Sequence, residues 1–198
     1  MNKSLADYLE TLYRQGREHD GPLADRLLRL RNMTPAAAGL VATLIRVQGS
    51  RRVLEIGTSN GYSAIWFGDA VRDTGGHLET VEIDPERATQ ARANIAAAGV
   101  SGQVTVTEGD GAAVLAAAAD GSVDLVVLDA ERPAYVDYWP RLRRVLSPGG
   151  VIAVDNAVSH GEQVAAFRET VTADGGFAVH LHEVGDGVLT AVHLRHGT

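Results

Sequence analysis

Apolar residues recur at helical spacing through the first fifty positions. Leu5, Tyr8, Leu9, Leu12 and Tyr13 share one face, and Leu23, Leu27, Leu28 and Leu30 prolong the stripe, so two short packing helices are expected there. A third should begin at Thr34-Pro35, where a hydroxyl N-cap precedes proline at the first helical position, and run through Leu40, Val41, Leu44 and Ile45 to Gly49. From Arg52 onward short apolar runs alternate with helical stretches, the pattern of repeated βαβ units and a mainly parallel sheet. Strands are predicted near 52–56, 78–83, 103–107, 124–128 and 150–154, with helices near 61–73, 85–98, 111–119 and 133–146. A helix over 161–173 then leads to two strands, 177–183 and 188–195, joined by Gly185-Asp186-Gly187. That last pair reads as a hairpin, which makes the final strand antiparallel.

Composition narrows the class. The chain has 198 residues, 45% of them hydrophobic, which suits one domain: an N-terminal helical cap over 1–50 and an α/β core over 51–198. It has no cysteine, which excludes a disulfide framework, a zinc ribbon and a thiol nucleophile and fits a cytoplasmic location. Neither a signal-type apolar segment nor a membrane-length apolar run is present. The net charge of -7 argues against a nucleic-acid partner and for a small molecule.

The candidate chemistry sits at strand ends. In VLEIGTSNGYS, residues 53–63, a buried strand ends in an acid, a Gly-x-x-x-Gly turn and a new helix. Gly57 and Gly61 let a ligand approach the backbone, and the helix start offers free N–H groups. Glu82, 21 residues after Gly61, has the spacing at which a carboxylate accepts ribose hydroxyls. Ser59 stands where a nicotinamide fingerprint would need a glycine, so that cofactor is disfavoured. Glu55, two residues before the first glycine, suits instead a cofactor with an ammonium group, such as S-adenosylmethionine. The strand DLVVLDAERPAY is apolar until Asp129, and GGVIAVDNAVSH until Asp155 and Asn156. Two carboxylates and an amide carbonyl at neighbouring strand ends form a hard oxygen set suited to Mg²⁺, Mn²⁺ or Ca²⁺.

VLEIGTSNGYS, TVEIDPERA, VVLDAERPAY, SPGGVIAVDNAV and VGDGVLTA, in that order over about residues 33–195, resemble the successive motifs of the cation-dependent O-methyltransferases, the catechol and caffeoyl-CoA group. The resemblance implies a Rossmann-like, seven-stranded class I methyltransferase sheet with helices on both faces. It implies S-adenosylmethionine cradled by Gly57, Thr58, Ser59, Gly61, Tyr62 and Ser63, with Glu82 on the ribose, Asp110 and Gly111 beside the adenine, and Asp129 reaching both cofactor and metal. It also implies Asp129, Asp155 and Asn156 as ligands of a divalent cation, a hydroxylated aromatic acceptor, and a homodimer. Arg132 stands where the catechol enzymes place a lysine base; arginine stays protonated, so it can orient or stabilise an oxyanion but accepts protons poorly. His160 is then the nearest alternative base in sequence. The long insertion that follows the Asp-Asn pair in plant members is missing, so the acceptor pocket is expected to be more open, or to be closed by the N-terminal helices of this or a second subunit, which disfavours a CoA-ester acceptor. A cofactor-binding protein of the same fold with weak or lost transferase activity is the alternative reading, ahead of a nicotinamide-linked oxidoreductase, which the glycine spacing disfavours. Of Tyr135, Tyr138 and Trp139, one is a candidate wall of the acceptor pocket, and His180, His182 and His193 a conceivable second metal cluster.

Overall fold

The computed structural model describes residues 1–25 and 27–195. The chain opens with α1 (Lys3–Asp20), capped by the Asn2 side chain on Leu5 N–H at 2.9 Å. α2 (Pro35–Gln48) follows, with Thr34 as N-cap and Gly49 closing it in the left-handed region. The second of the expected early helices does not form. Residues 21–25 and 27–33 instead run as an irregular strap, and Leu27 and Leu28 are exposed rather than packed. Pro22 follows the last turn of α1, and the Asp20 carboxylate accepts from Leu30 and Arg31 N–H at 2.7 and 2.8 Å, long-range bonds that replace a helical ladder.

The α/β part runs β1 (Arg52–Ile56), α3 (Tyr62–Thr74), β2 (His77–Glu82), α4 (Pro85–Ala97), β3 (Val104–Glu108), α5 (Gly111–Ala117), β4 (Val123–Leu128), α6 (Tyr135–Val145), β5 (Leu146–Asp155), α7 (Gly161–Ala173), β6 (Phe177–His182) and β7 (Val188–His193). The seven strands form one sheet in the order β3-β2-β1-β4-β5-β7-β6, in which β7 alone is antiparallel to its neighbours. Asp84 caps α4, accepting from Glu86 and Arg87 N–H.

Two local readings shift. The expected helix over 133–146 begins with a 3-10 turn, Arg132–Ala134, before α6 proper. β5 starts earlier than expected, because Leu146 already pairs with Val123; the register then slips before Leu125 meets Val151. Ser147-Pro148-Gly149-Gly150 is thus an irregularity within a strand rather than a turn before one.

Alternating strand residues feed two cores. Val53, Leu125, Val127 and Ala153 face α1 to α4, whereas Leu54, Ile56, Val126, Leu128 and Ile152 face α5 to α7. Because β1, β2, β4 and β5 are parallel, their carboxyl ends emerge along one edge. The strand order reverses between β1 and β4, the crevice where open α/β sheets take ligands. Among the described residues, no helix is long and apolar enough to cross a membrane.

Candidate active site

A cavity of about 380 Å³ opens at that crevice, floored by Gly57, Gly109 and Gly111 and bordered by Glu82, Asp129 and Arg132. Its floor depends on close backbone approach. Asp129 N–H donates to Ile56 O at 2.9 Å, which draws the end of β4 onto Gly57 at φ 101°; a methyl group at Gly57 would collide with the Asp129 carbonyl. Gly111, the first residue of α5, lies so near Ile56 that an added Cβ would come within 2.5 Å of its Cγ2.

At one end of the cavity, hydrogen bonding is nearly complete. The Glu82 carboxylate accepts from Ser59 N–H (2.7 Å) and from Asp84 N–H (3.0 Å), one bond per oxygen, which fixes its plane and leaves acceptor capacity on both oxygens. Asp110 caps α5 through Ala112 N–H at 2.6 Å and borders the same end. Ser59, at a left-handed φ of 50°, donates its hydroxyl to Leu30 O at 2.7 Å.

Several residues expected around the cofactor turn inward. Glu55 is fully buried and accepts from Ser63 Oγ and Thr80 Oγ1, each at 2.5 Å; Thr58 and Thr80 hydroxyls are 2.6 Å apart. Burial lifts the Glu55 carboxyl from the ordinary 4.5 to about 7, against the opposing pull of the two hydroxyl donors. Tyr62 stacks obliquely on Tyr13, with ring centroids 5.4 Å apart. Glu55, Thr58, Gly61, Tyr62 and Ser63 shape the turn from beneath and do not border the cavity. Gly61 is needed at φ 85°, hard against Ala91 of α4.

The other end carries charge. Asp129 follows β4 and Asp155 ends β5, adjacent strands in register at Leu128 and Val154. The Asp129 carboxyl is pushed well above the usual range by burial, then by the negative charges of Asp155 and Glu55, with Arg132 and Arg31 opposing. Asp155 is lifted to about 7, chiefly by burial, with Asn156 contacts pulling against it and Asp186 pushing the same way. Its Oδ1 is buried with no hydrogen-bond partner among the described residues, while Oδ2 accepts from the Asn156 amide. Asn156 holds a left-handed φ of 62°, which asparagine tolerates, and so turns toward the cavity. The loop behind it is tied to the hairpin: Ala157 N–H donates to Gly187 O at 2.9 Å, and Val158 and Ser159 N–H to Asp186 O.

Arg132 borders this end, almost wholly buried. Its Nη1 reaches Gln163 Oε1 at 3.4 Å, and its buried Nε has no partner among the described residues. Tyr138 contributes to the wall; Tyr135 does not, but its hydroxyl accepts from Ala130 N–H (2.8 Å) and donates to Ala130 O (2.9 Å), pinning the turn after Asp129. Trp139 packs in the core against Phe167 and Phe177. His160 sits at the start of α7 with Nδ1 3.0 Å from Ser159 Oγ, outside the cavity lining. His180 and His182 pair at 5.0 Å on one sheet face, whereas His193 stacks on Phe177 on the other, so the three do not converge.

The roof is the strap that sequence patterning mistook for a helix. Leu27, Leu30 and Arg31 overhang the cavity, held by Asp20, by the Ser59 hydroxyl and by the Arg87 guanidinium on the carbonyls of Leu27 and Arg29. Arg31 reaches across the mouth to Glu131, Nη1 to Oε1, at 3.2 Å. The ties that hang it over the cavity join residues distant in sequence, so no local signal marks its position.

The pattern of known proteins agrees with this architecture. A family model described as O-methyltransferase matches residues 9–191. The chain belongs to the O-methyltransferase family. The methyltransferase is 36% identical over 173 residues to the Mycobacterium tuberculosis protein "Probable O-methyltransferase Rv1220c", which covers 81% of this chain and 77% of that one. Among solved structures it resembles the Bacillus cereus O-methyltransferase in complex with SAH (TM-score 0.79, 25% identity, 94% of this chain and 90% of that one). It also resembles TomG of Streptomyces achromogenes, involved in tomaymycin synthesis and solved with SAM (TM-score 0.76, 26% identity, 98% of this chain and 91% of that one).

Proposed function

We propose that this methyltransferase uses S-adenosylmethionine to methylate a hydroxyl of a small, metal-chelating, catechol-like acceptor, assisted by a divalent cation. The observation that carries the reading is the pair Asp129 and Asp155: two buried carboxylates raised by burial and, at Asp129, by the repulsion of its neighbour, one with an orphaned oxygen, beside the amide-bearing Asn156. Buried like charges persist where something positive compensates them, and this donor set is hard, all-oxygen and incomplete, which fits Mg²⁺, Mn²⁺ or Ca²⁺. When bound, such a cation would supply Lewis acidity that lowers the pKa of a chelated hydroxyl.

Glu82, already oriented by two backbone N–H groups, is suited to accept ribose hydroxyls. Asp110 and Gly111 are suited to border the adenine, and Gly57 allows the cofactor to lie against the backbone. Glu55, Thr58, Tyr62 and Ser63 act beneath as supports that hold the turn. A lone pair of the acceptor oxygen forms the new C–O bond in line as the C–S bond breaks toward sulfur. The sulfonium becomes a neutral thioether and the hydroxyl proton leaves to water at the mouth. Charge disappears in this step, so a roof that sheds water favours it, and Leu27 and Leu30 of the strap are placed to do so. Arg132 remains a cation throughout and stabilises the developing oxyanion rather than taking its proton.

Calorimetry with S-adenosylmethionine and with NAD, followed by turnover on a catechol panel with Mg²⁺ and then with a chelator, tests the reading. Binding of S-adenosylmethionine alone and chelator-sensitive turnover are expected. Binding of NAD in its place, or turnover indifferent to the chelator, contradicts it.

A further inference from the structure

Away from the cavity, two histidines share one face of the sheet. His180 and His182 stand two residues apart on β6, the outermost strand, so their side chains project from the same face, with ring centroids 5.0 Å apart and planes at 69°. His180 is exposed and His182 half-buried, and neither borders the cavity that holds Asp129. Two imidazoles that bind one ion at about 2.0–2.1 Å per nitrogen, roughly 90–110° apart, have ring centres about 4.5–5.2 Å from each other. The spacing on β6 falls within that interval.

Hydrogen bonding prepares one of the rings. Thr190, opposite His180 on β7, is 6% exposed; it donates its hydroxyl proton to His180 O at 3.4 Å, and its oxygen lies 2.9 Å from His182 Nε2. That oxygen therefore accepts from Nε2–H, which leaves the lone pair of His182 on Nδ1. A ligating histidine commonly has its second nitrogen donating to a fixed acceptor in this way. Partial burial, then the charge of His180, holds the His182 pKa below its usual value, so the neutral, ligating form prevails at pH 7.

Among the described residues, no group of three or more His, Asp or Glu is placed to share an ion, so water must complete the shell. Imidazole suits Cu²⁺, Ni²⁺ and Zn²⁺, with Cu²⁺ held most tightly, whereas Mg²⁺ takes oxygen donors. We infer that His180 and His182 form a bidentate site for a divalent transition-metal ion. It is chemically distinct from the oxygen set of Asp129, Asp155 and Asn156 and independent of the methyl-transfer reading.

The test is a Cu²⁺ titration of the full chain with Mg²⁺ in excess, followed by electron paramagnetic resonance. The first equivalent is expected to show coupling to two imidazole nitrogens and to bind more tightly than Zn²⁺. His180→Ala and His182→Ala should each weaken it about tenfold or more and leave one coupled nitrogen, because either change breaks the chelate. His77→Ala and His193→Ala, elsewhere on the sheet, should leave it unchanged. Circular dichroism checks the fold, and His180, being exposed, is the variant least able to disturb it. A first equivalent that survives His180→Ala undiminished, that is lost equally in His77→Ala or His193→Ala, or that couples to no pair of nitrogens overturns the inference.

Discussion

The two ends of the cavity are built on opposite principles. Around Glu82 the polar groups have their partners: its two oxygens each receive a backbone N–H, and the Asp110 carboxylate caps a helix. Around Asp129 several polar atoms lack them: Asp155 Oδ1 and the Nε of Arg132 and of Arg31 are buried with no hydrogen-bond partner among the described residues. A preformed end presents fixed acceptors to a ligand and loses little order on binding. An unsatisfied end stores electrostatic strain that a ligand of the right charge relieves, and this makes it discriminating. On the proposed reading, the constant partner, the cofactor, takes the first end and the chemistry the second.

Replacement of Asp155 should break the comparison most deeply. Asp155→Ala is expected to lower kcat/KM by roughly 10²–10³-fold while S-adenosylhomocysteine binding changes little, because the lost group lies at the charged end. Equal losses in both measurements would mean that the two ends are not separable.

Glu55 sharpens the contrast from beneath the satisfied end. Its carboxyl titrates near 7 in the folded chain against 4.5 ordinarily, so the folded state holds the proton more tightly. Its contribution is therefore most favourable below pH 4.5, falls as pH rises toward 7, and is fully lost above it, a change of about 3 kcal/mol. Glu55→Gln removes that titration. Urea unfolding from pH 5 to pH 8 should show the variant gaining stability relative to the parent as pH rises; parallel curves would assign the slope to other groups.

Glu82→Gln should reduce S-adenosylhomocysteine affinity roughly 10–100-fold, since an amide cannot accept with both ends while two backbone N–H groups already point at it. Calorimetry reads this directly, and unchanged affinity would detach Glu82 from the ribose. The smallest effect is expected from Tyr135→Phe. It frees the turn after Asp129 by removing both bonds to Ala130, with a stability loss of about 1–3 kcal/mol and a fall in turnover that exceeds any loss of cofactor affinity.

Much of this was legible from local patterns. The seven strands, the single antiparallel one and most helices follow from apolar runs and punctuating turns, because each was written within a window of about ten residues. Asp129, Asp155 and Asn156 could be singled out because an apolar run that ends in a hard donor marks the carboxyl edge of a buried strand. Residues 23–30 misled, since Leu23, Leu27, Leu28 and Leu30 carry helical spacing. Their backbone follows Asp20, Ser59 and Arg87 instead, partners that no local window contains. Glu55 was read as a group facing the ligand, whereas its oxygens point at Ser63 and Thr80.

The order of elements, the turn chemistry and the identity of the acids at each strand end belonged to the amino-acid sequence alone, because propensity, capping and alternation act between near neighbours. Which acids would be satisfied and which left wanting, that a strap of the N-terminal segment would roof the cavity, and that two arginines would meet beside Asp129 were decided only by tertiary structure. Hydrogen-bond satisfaction and electrostatic pairing depend on distances through space, and those exist only once the chain has closed on itself.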